Sequence, residues 1–119
     1  MAVVSLAVLR STGARYALKR SCYPVERLDA SERKRVLAET QLLRELAYHK
    51  DDTLRFICRF HGCFEQDDGR MTLVLEFVQG ETLVKHLRAQ TDGHCSMTEA
   101  RRYLKECVHM LQALHELNI

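Results

Sequence analysis

Two groups of residues in this chain have types and spacing that could carry chemistry. In RYALKR, Arg15 to Arg20, Lys19 stands between strand-forming residues, three positions after the ring of Tyr16. A strand lysine is either charge on a wet face or an ammonium aimed at an anion such as a phosphate. An ammonium carries three donors on a flexible stem, so it needs a carboxylate to hold it at fixed reach. Cys58, His61 and Cys63 form a second cluster of a type that suits zinc, although their spacing fits the alternation of a strand better. The five cysteines, Cys22, Cys58, Cys63, Cys95 and Cys107, include no CxxC pair. They read as reduced, partly buried thiols of a cytoplasmic chain, with the nucleus also open to it.

The elements that must position these groups are legible. The 119 residues suffice for one small domain or part of a larger one, and 46% hydrophobic content can fill a core. The formal net charge is only +2, from 18 Lys+Arg against 16 Asp+Glu. So balanced a charge argues against a nucleic-acid or membrane surface, and no run approaches the roughly 18 apolar residues of a membrane span. The basic run Arg33-Lys34-Arg35 reads as a solvated helix face, and the apolar opening MAVVSLAVL as a strand rather than a signal peptide.

Val3 to Leu9 and Arg15 to Arg20 read as strands around the turn Ser11-Thr12-Gly13, an antiparallel hairpin. A linker with the only proline, Pro24, follows. Asp29 with Glu32 fits a capping box, and Val36, Leu37, Thr40, Leu43, Leu46 and Ala47 recur at helical spacing, so a helix runs from about Ala30 to Ala47. Leu54 to Phe64 and Met71 to Val78 read as a second hairpin around Gln66 to Arg70, the latter strand apolar enough to be covered on both sides. After Gly80 come a short helix, Thr82 to Ala89, and a turn at Asp92-Gly93. Ser96 with Glu99 is another capping box. Behind it Ala100, Tyr103, Leu104, Cys107, Val108, Leu111, Leu114 and Leu117 make one apolar stripe, expected to be exposed and open to a partner. The class is α+β: an antiparallel sheet with one packed helix, then helices.

This order and several motifs resemble the amino-terminal half of a eukaryotic-type protein kinase domain. Tyr16-Ala17-Leu18-Lys19 is similar to the family's V-A-I-K strand motif, with Val4 and the Thr12-Gly13 turn in frame before it. Glu39 with Leu42 and Leu43 resembles the pattern, in the family's sheet-packing helix, of a glutamate followed by apolar residues three and four positions on. Glu76-Phe77-Val78-Gln79-Gly80 resembles its hinge, and Leu114 to Ile119 the end of the helix that leads into its catalytic loop. The resemblance covers the whole chain, with residues 1–78 as amino-terminal lobe and hinge and residues 79–119 as the start of the carboxy-terminal lobe.

The resemblance implies that Lys19 contacts the α- and β-phosphates of ATP and pairs with Glu39. It implies that Val4 and Ala17 cover the adenine, that Leu75 is the gatekeeper behind it, and that the Glu76 carbonyl and Val78 amide bind its edge. Leu43 and Phe60 match positions of a buried stack between the lobes. From the residues alone, Glu39 lies near Val36 and Leu43 at the edge of a buried face, where a carboxylate is best explained by a partner. Val4, Ala17, Leu75, Leu43 and Phe60 would serve equally as plain core. The implied activity is transfer of the ATP γ-phosphoryl group to serine or threonine hydroxyls of a protein substrate, or with dual specificity, with Mg²⁺.

The sequence departs from the family pattern in three ways. Met1 and Ala2 stand where the glycine-rich loop ends, and Ala2 replaces its third glycine. Ile119 falls about two residues before the H-R-D-L-x-x-x-N loop, and neither His-Arg-Asp nor Asp-Phe-Gly occurs. The connection around Leu46 to Asp52 reads as an insertion, and Gly80-Glu81-Thr82 holds one glycine where many members have two. The expectation is a fragment of a larger kinase, inactive alone, whose Mg²⁺ ligands lie elsewhere. The alternative is a non-catalytic, kinase-like module that binds or regulates a protein partner.

Overall fold

The computed structural model describes residues 2–49, 52–90 and 93–119. Its strands are β1 (Ala2–Val8), β2 (Arg15–Ser21), β3 (Phe60–Glu65) and β4 (Met71–Glu76). Its helices are α1 (Ala30–Tyr48), α2 (Leu83–Ala89) and α3 (Met97–Glu116), with 3-10 turns at Val25–Arg27 and Asp52–Phe56. The chain divides into two compact units, Met1–Lys50 with Cys58–Val78, and Asp51–Ile57 with Gln79–Ile119.

The first unit is an antiparallel sheet in the order β1-β2-β4-β3 with α1. Valine and leucine supply the strand propensity of β1, and Gly13, at φ +73°, turns the chain into β2. Its amide donates to the Leu9 carbonyl at 2.8 Å. The second hairpin closes the same way. Gly69, at φ +77°, donates to the Gln66 carbonyl at 2.8 Å, and the Gln66 amide to the Arg70 carbonyl at 2.9 Å. β4 lies between β2 and β3, and its adjacent residues Thr72 and Leu73, which point to opposite faces, are both buried. That is why its sequence is almost continuously apolar, Thr72 and the terminal Glu76 apart, where an edge strand would alternate.

Helix α1 begins where Asp29 Oδ1 accepts the Glu32 amide at 2.9 Å. Thr40 and Leu46 are buried, Val36, Glu39 and Leu43 are half-buried, and Leu37 and Ala47 point outward. The inward stripe is thus narrower than the apolar pattern suggests. The Thr40 hydroxyl donates back to the Val36 carbonyl at 2.8 Å and enters the core satisfied.

The expected strand from Leu54 to Phe64 is only half a strand. Asp52–Phe56 is a 3-10 turn packed with α3 in the second unit, and β3 starts at Phe60. The run LRFICRF has no clean period, and a short apolar run of that kind does not separate strand from turn. Leu54, 8% exposed, is buried as a core residue of the second unit rather than as a strand residue. In that unit the Ser96–Glu99 capping box has both arms. The α3 stripe is split: Ala113 is buried and Tyr103, Leu114 and Leu117 half-buried, whereas Leu104, Val108 and Leu111 are exposed. The expected insertion reaches Lys50 and Asp51, and the expected turn includes Asp92; these lie outside the described residues. No helix among the described residues is long and apolar enough to cross a membrane.

Candidate functional site

The sheet register gathers the candidate residues. Val4 opposes Lys19, and Lys19 opposes Leu73; one row further on, Leu6 opposes Ala17, Ala17 opposes Leu75, and Leu75 opposes Phe60. Directly opposed residues share a face of the sheet. Val4, Ala17, Lys19 and Leu75 therefore stand on one side, two residues apart along their strands. Leu75 and Ala17 are half-buried, and Val4 is 65% exposed.

Helix α1 turns its inward stripe toward the same side. Glu39 sits in that stripe between Val36 and Leu43, and its Oε1 accepts a hydrogen bond from Lys19 Nζ. The two side chains are 33% and 43% exposed, so the pair is half in solvent. They line a cleft of about 240 Å³ together with Ser21, Val36, Met71 and Leu73. Here the ammonium is anchored by one carboxylate in a mixed cleft whose lining also holds Glu32 and Arg35, with donors left over for an anion. That arrangement suits a phosphate group.

The end of β4 behaves differently. The Glu76 amide donates to the Arg59 carbonyl at 2.8 Å. The Arg59 amide donates to Glu76 Oε2 at 3.1 Å, and the Cys58 thiol donates to the Glu76 carbonyl at 3.3 Å. Phe77 packs under the Arg15 guanidinium, 4.7 Å from its ring centre. Val78 is 68% exposed beyond the strand. Burial and then the Glu76 carboxylate push the Cys58 thiol above its ordinary range.

Sequence reasoning singled out Val4, Ala17, Lys19, Glu39 and Leu75, which the structure brings to one face, and Glu76 and Val78, which it puts at and beyond the end of β4. It missed the pairing of Cys58 and Arg59 with Glu76. The cysteine was visible, but its partner lies 18 residues away and only the strand register brings them together. Cys58, His61 and Cys63 go separate ways. Cys63 Sγ is 3.6 Å from Arg44 Nη2, and His61 meets Tyr16 edge to face at 5.0 Å between ring centres. Among the described residues no group of three His, Cys, Asp or Glu side chains could hold a metal ion.

Comparison with known proteins agrees with this geometry. The protein kinase domain family matches residues 1–119. A Caenorhabditis elegans protein described as "cAMP-dependent protein kinase, catalytic subunit-like" is 32% identical over 117 residues, which cover 98% of this chain and 27% of the relative. The chain thus spans about a quarter of the length of that relative. With a family match from end to end, a four-stranded antiparallel sheet and a helix whose glutamate meets the strand lysine, the chain belongs to the protein kinase domain family.

Proposed function

We propose that this chain is the nucleotide-holding part of a protein kinase that phosphorylates serine and threonine hydroxyls. The observation that carries the reading is the Lys19–Glu39 ion pair, both residues of which line the cleft. ATP, when bound, supplies the γ-phosphoryl group, whose bond to the β-phosphate oxygen breaks as a bond to the acceptor hydroxyl oxygen forms. Lys19 holds the α- and β-phosphates, and Glu39 keeps the ammonium at the right reach. Val4, Ala17 and Leu75 offer apolar faces to the adenine, and the Glu76 carbonyl and Val78 amide meet its edge. Catalysis of this kind is positioning and charge neutralisation, so misplacing one cation has a large effect.

The test is Lys19→Met in the intact protein with a generic protein substrate. Phosphoryl transfer is expected to fall by about 100-fold or more, and an unchanged rate rejects the reading. Phosphoserine and phosphothreonine, rather than phosphotyrosine, are the expected products. A second reading draws on the outward Leu104, Val108 and Leu111 of α3. As a non-catalytic module, the protein would lose its partner on Leu111→Asp and keep its function on Lys19→Met.

A further inference from the structure

The β3–β4 ladder ends beside the proposed nucleotide site, where Arg59, just before β3, faces Glu76, the last residue of β4. In a regular antiparallel pair, two opposed residues exchange both amide–carbonyl hydrogen bonds. Arg59 and Glu76 exchange only one: the Glu76 amide reaches the Arg59 carbonyl at 2.8 Å. The return donor, the Arg59 amide, is taken at 3.1 Å by the Glu76 side chain instead. The Glu76 carbonyl is thereby released from the ladder, and the Cys58 thiol donates to it at 3.3 Å. All three polar groups of Glu76 are thus tied to one dipeptide, Cys58-Arg59. A carbonyl oxygen has two lone pairs, and a thiol occupies one of them only weakly. The other is left for an incoming donor, on a carbonyl whose plane is already fixed.

We propose that Cys58, together with the Glu76 carboxylate, positions the Glu76 carbonyl as the acceptor for the 6-amino group of adenine, and so sets the preference for ATP over GTP. The inference rests on the nucleotide reading above and adds to it a positioning residue and a specificity. Adenine presents a donor at its 6-position. Guanine presents an oxygen there, which a fixed carbonyl repels. Were the carbonyl free to turn back toward the Arg59 amide, both the attraction and the repulsion would weaken. Orientation settled before binding also spares the ligand the cost of ordering it. The thiol's raised titration keeps it protonated, and therefore a donor, at neutral pH.

The test uses the intact protein and measures KM and binding for ATP and GTP in Cys58→Val, Cys58→Ala and Cys58→Ser, with thermal melting as a folding check. Valine keeps most of the bulk and removes the donor; serine keeps a donor. Cys58→Val is expected to raise the ATP KM and Kd by about three- to tenfold with kcat unchanged, and to narrow the ATP-over-GTP ratio by the same factor. Cys58→Ser is expected to stay within about twofold of the parent. Cys58→Ala replaces the valine variant if the latter does not fold. Variants without the donor that keep the parent's ATP affinity and nucleotide ratio overturn the inference, as does an equal loss of ATP and GTP. If ATP binds and Lys19→Met abolishes transfer while Cys58→Val is silent, this inference alone fails. If the parent binds no ATP, the nucleotide reading fails with it.

Discussion

Lys19 Nζ donates to Glu39 Oε1 across the space between β2 and α1, joining residues 20 positions apart. The lysine reaches that point because its strand position puts it on the face that α1 covers. The glutamate reaches it because Val36, Thr40 and Leu43 turn that side of the helix inward. Both side chains keep a third or more of their surface in solvent, at 33% and 43%. A half-exposed ion pair contributes little to folding, since water screens it and two long side chains lose rotamer freedom. On the proposed nucleotide reading, its value lies in where it holds the ammonium.

The pair is accordingly expected to matter far more for activity than for stability. A double-mutant cycle of Lys19→Met and Glu39→Gln, followed by urea unfolding, should give a coupling of about 0.2–1 kcal/mol. On the proposed reading, each single substitution in the intact protein should reduce phosphoryl transfer by a much larger factor. A coupling of several kcal/mol would show the pair to be structural.

Thr72 is 1% exposed, and its hydroxyl has no hydrogen-bond partner among the described residues. A buried hydroxyl without a partner is costly, and a methyl group of the same shape is not. Thr72→Val should raise stability by about 1 kcal/mol. Denaturant unfolding checks this; a loss of stability would mean that the hydroxyl is bonded in solution.

Gly69→Ala should weaken the second hairpin. The residue sits at φ +77°, and an added Cβ would lie 3.3 Å from the Pro24 Cβ. The left-handed conformation costs about 1–2 kcal/mol for a residue with a side chain, with the crowding against Pro24 added. The same substitution at Gly13, where a Cβ would meet nothing within 4 Å, should carry the conformational cost alone. Comparing the two unfolding midpoints separates the contributions.

Acid should loosen the start of α3. The Ser96 hydroxyl, and then the Ser96 backbone amide, hold the Glu99 carboxyl below its ordinary value of 4.5. A carboxyl lowered on folding adds stability that is complete above its ordinary value and is lost as pH falls through the lowered one. The melting temperature of the parent should therefore exceed that of Glu99→Gln at about pH 6, and the gap should narrow progressively as the pH falls below 4.5. A gap independent of pH would remove the ionised carboxylate from the cap.

Most of the fold is legible in the order of residues because local chemistry is strong there. Asp29 and Ser96 announce helix starts, and Gly13 and Gly69 sit where the turns require positive φ. The apolar run of β4 marks a strand buried on both faces. The break within Leu54 to Phe64 was not legible, because packing in the second unit decides the conformation of Leu54 and a short apolar run does not.

The candidate site divides along the same line. By itself the sequence determined which residue types were available: a strand lysine, a helix glutamate at the edge of an apolar stripe, and a glutamate at the end of an apolar strand. Strand alternation and helical period are local, so each residue's side of its own element follows from its neighbours. Only the tertiary structure decided that Lys19 and Glu39 meet, and that Cys58 and Arg59 hold Glu76. Those contacts span 17 to 20 residues. They depend on register and on the seating of α1, which are set by packing between elements and leave no periodic mark along the chain.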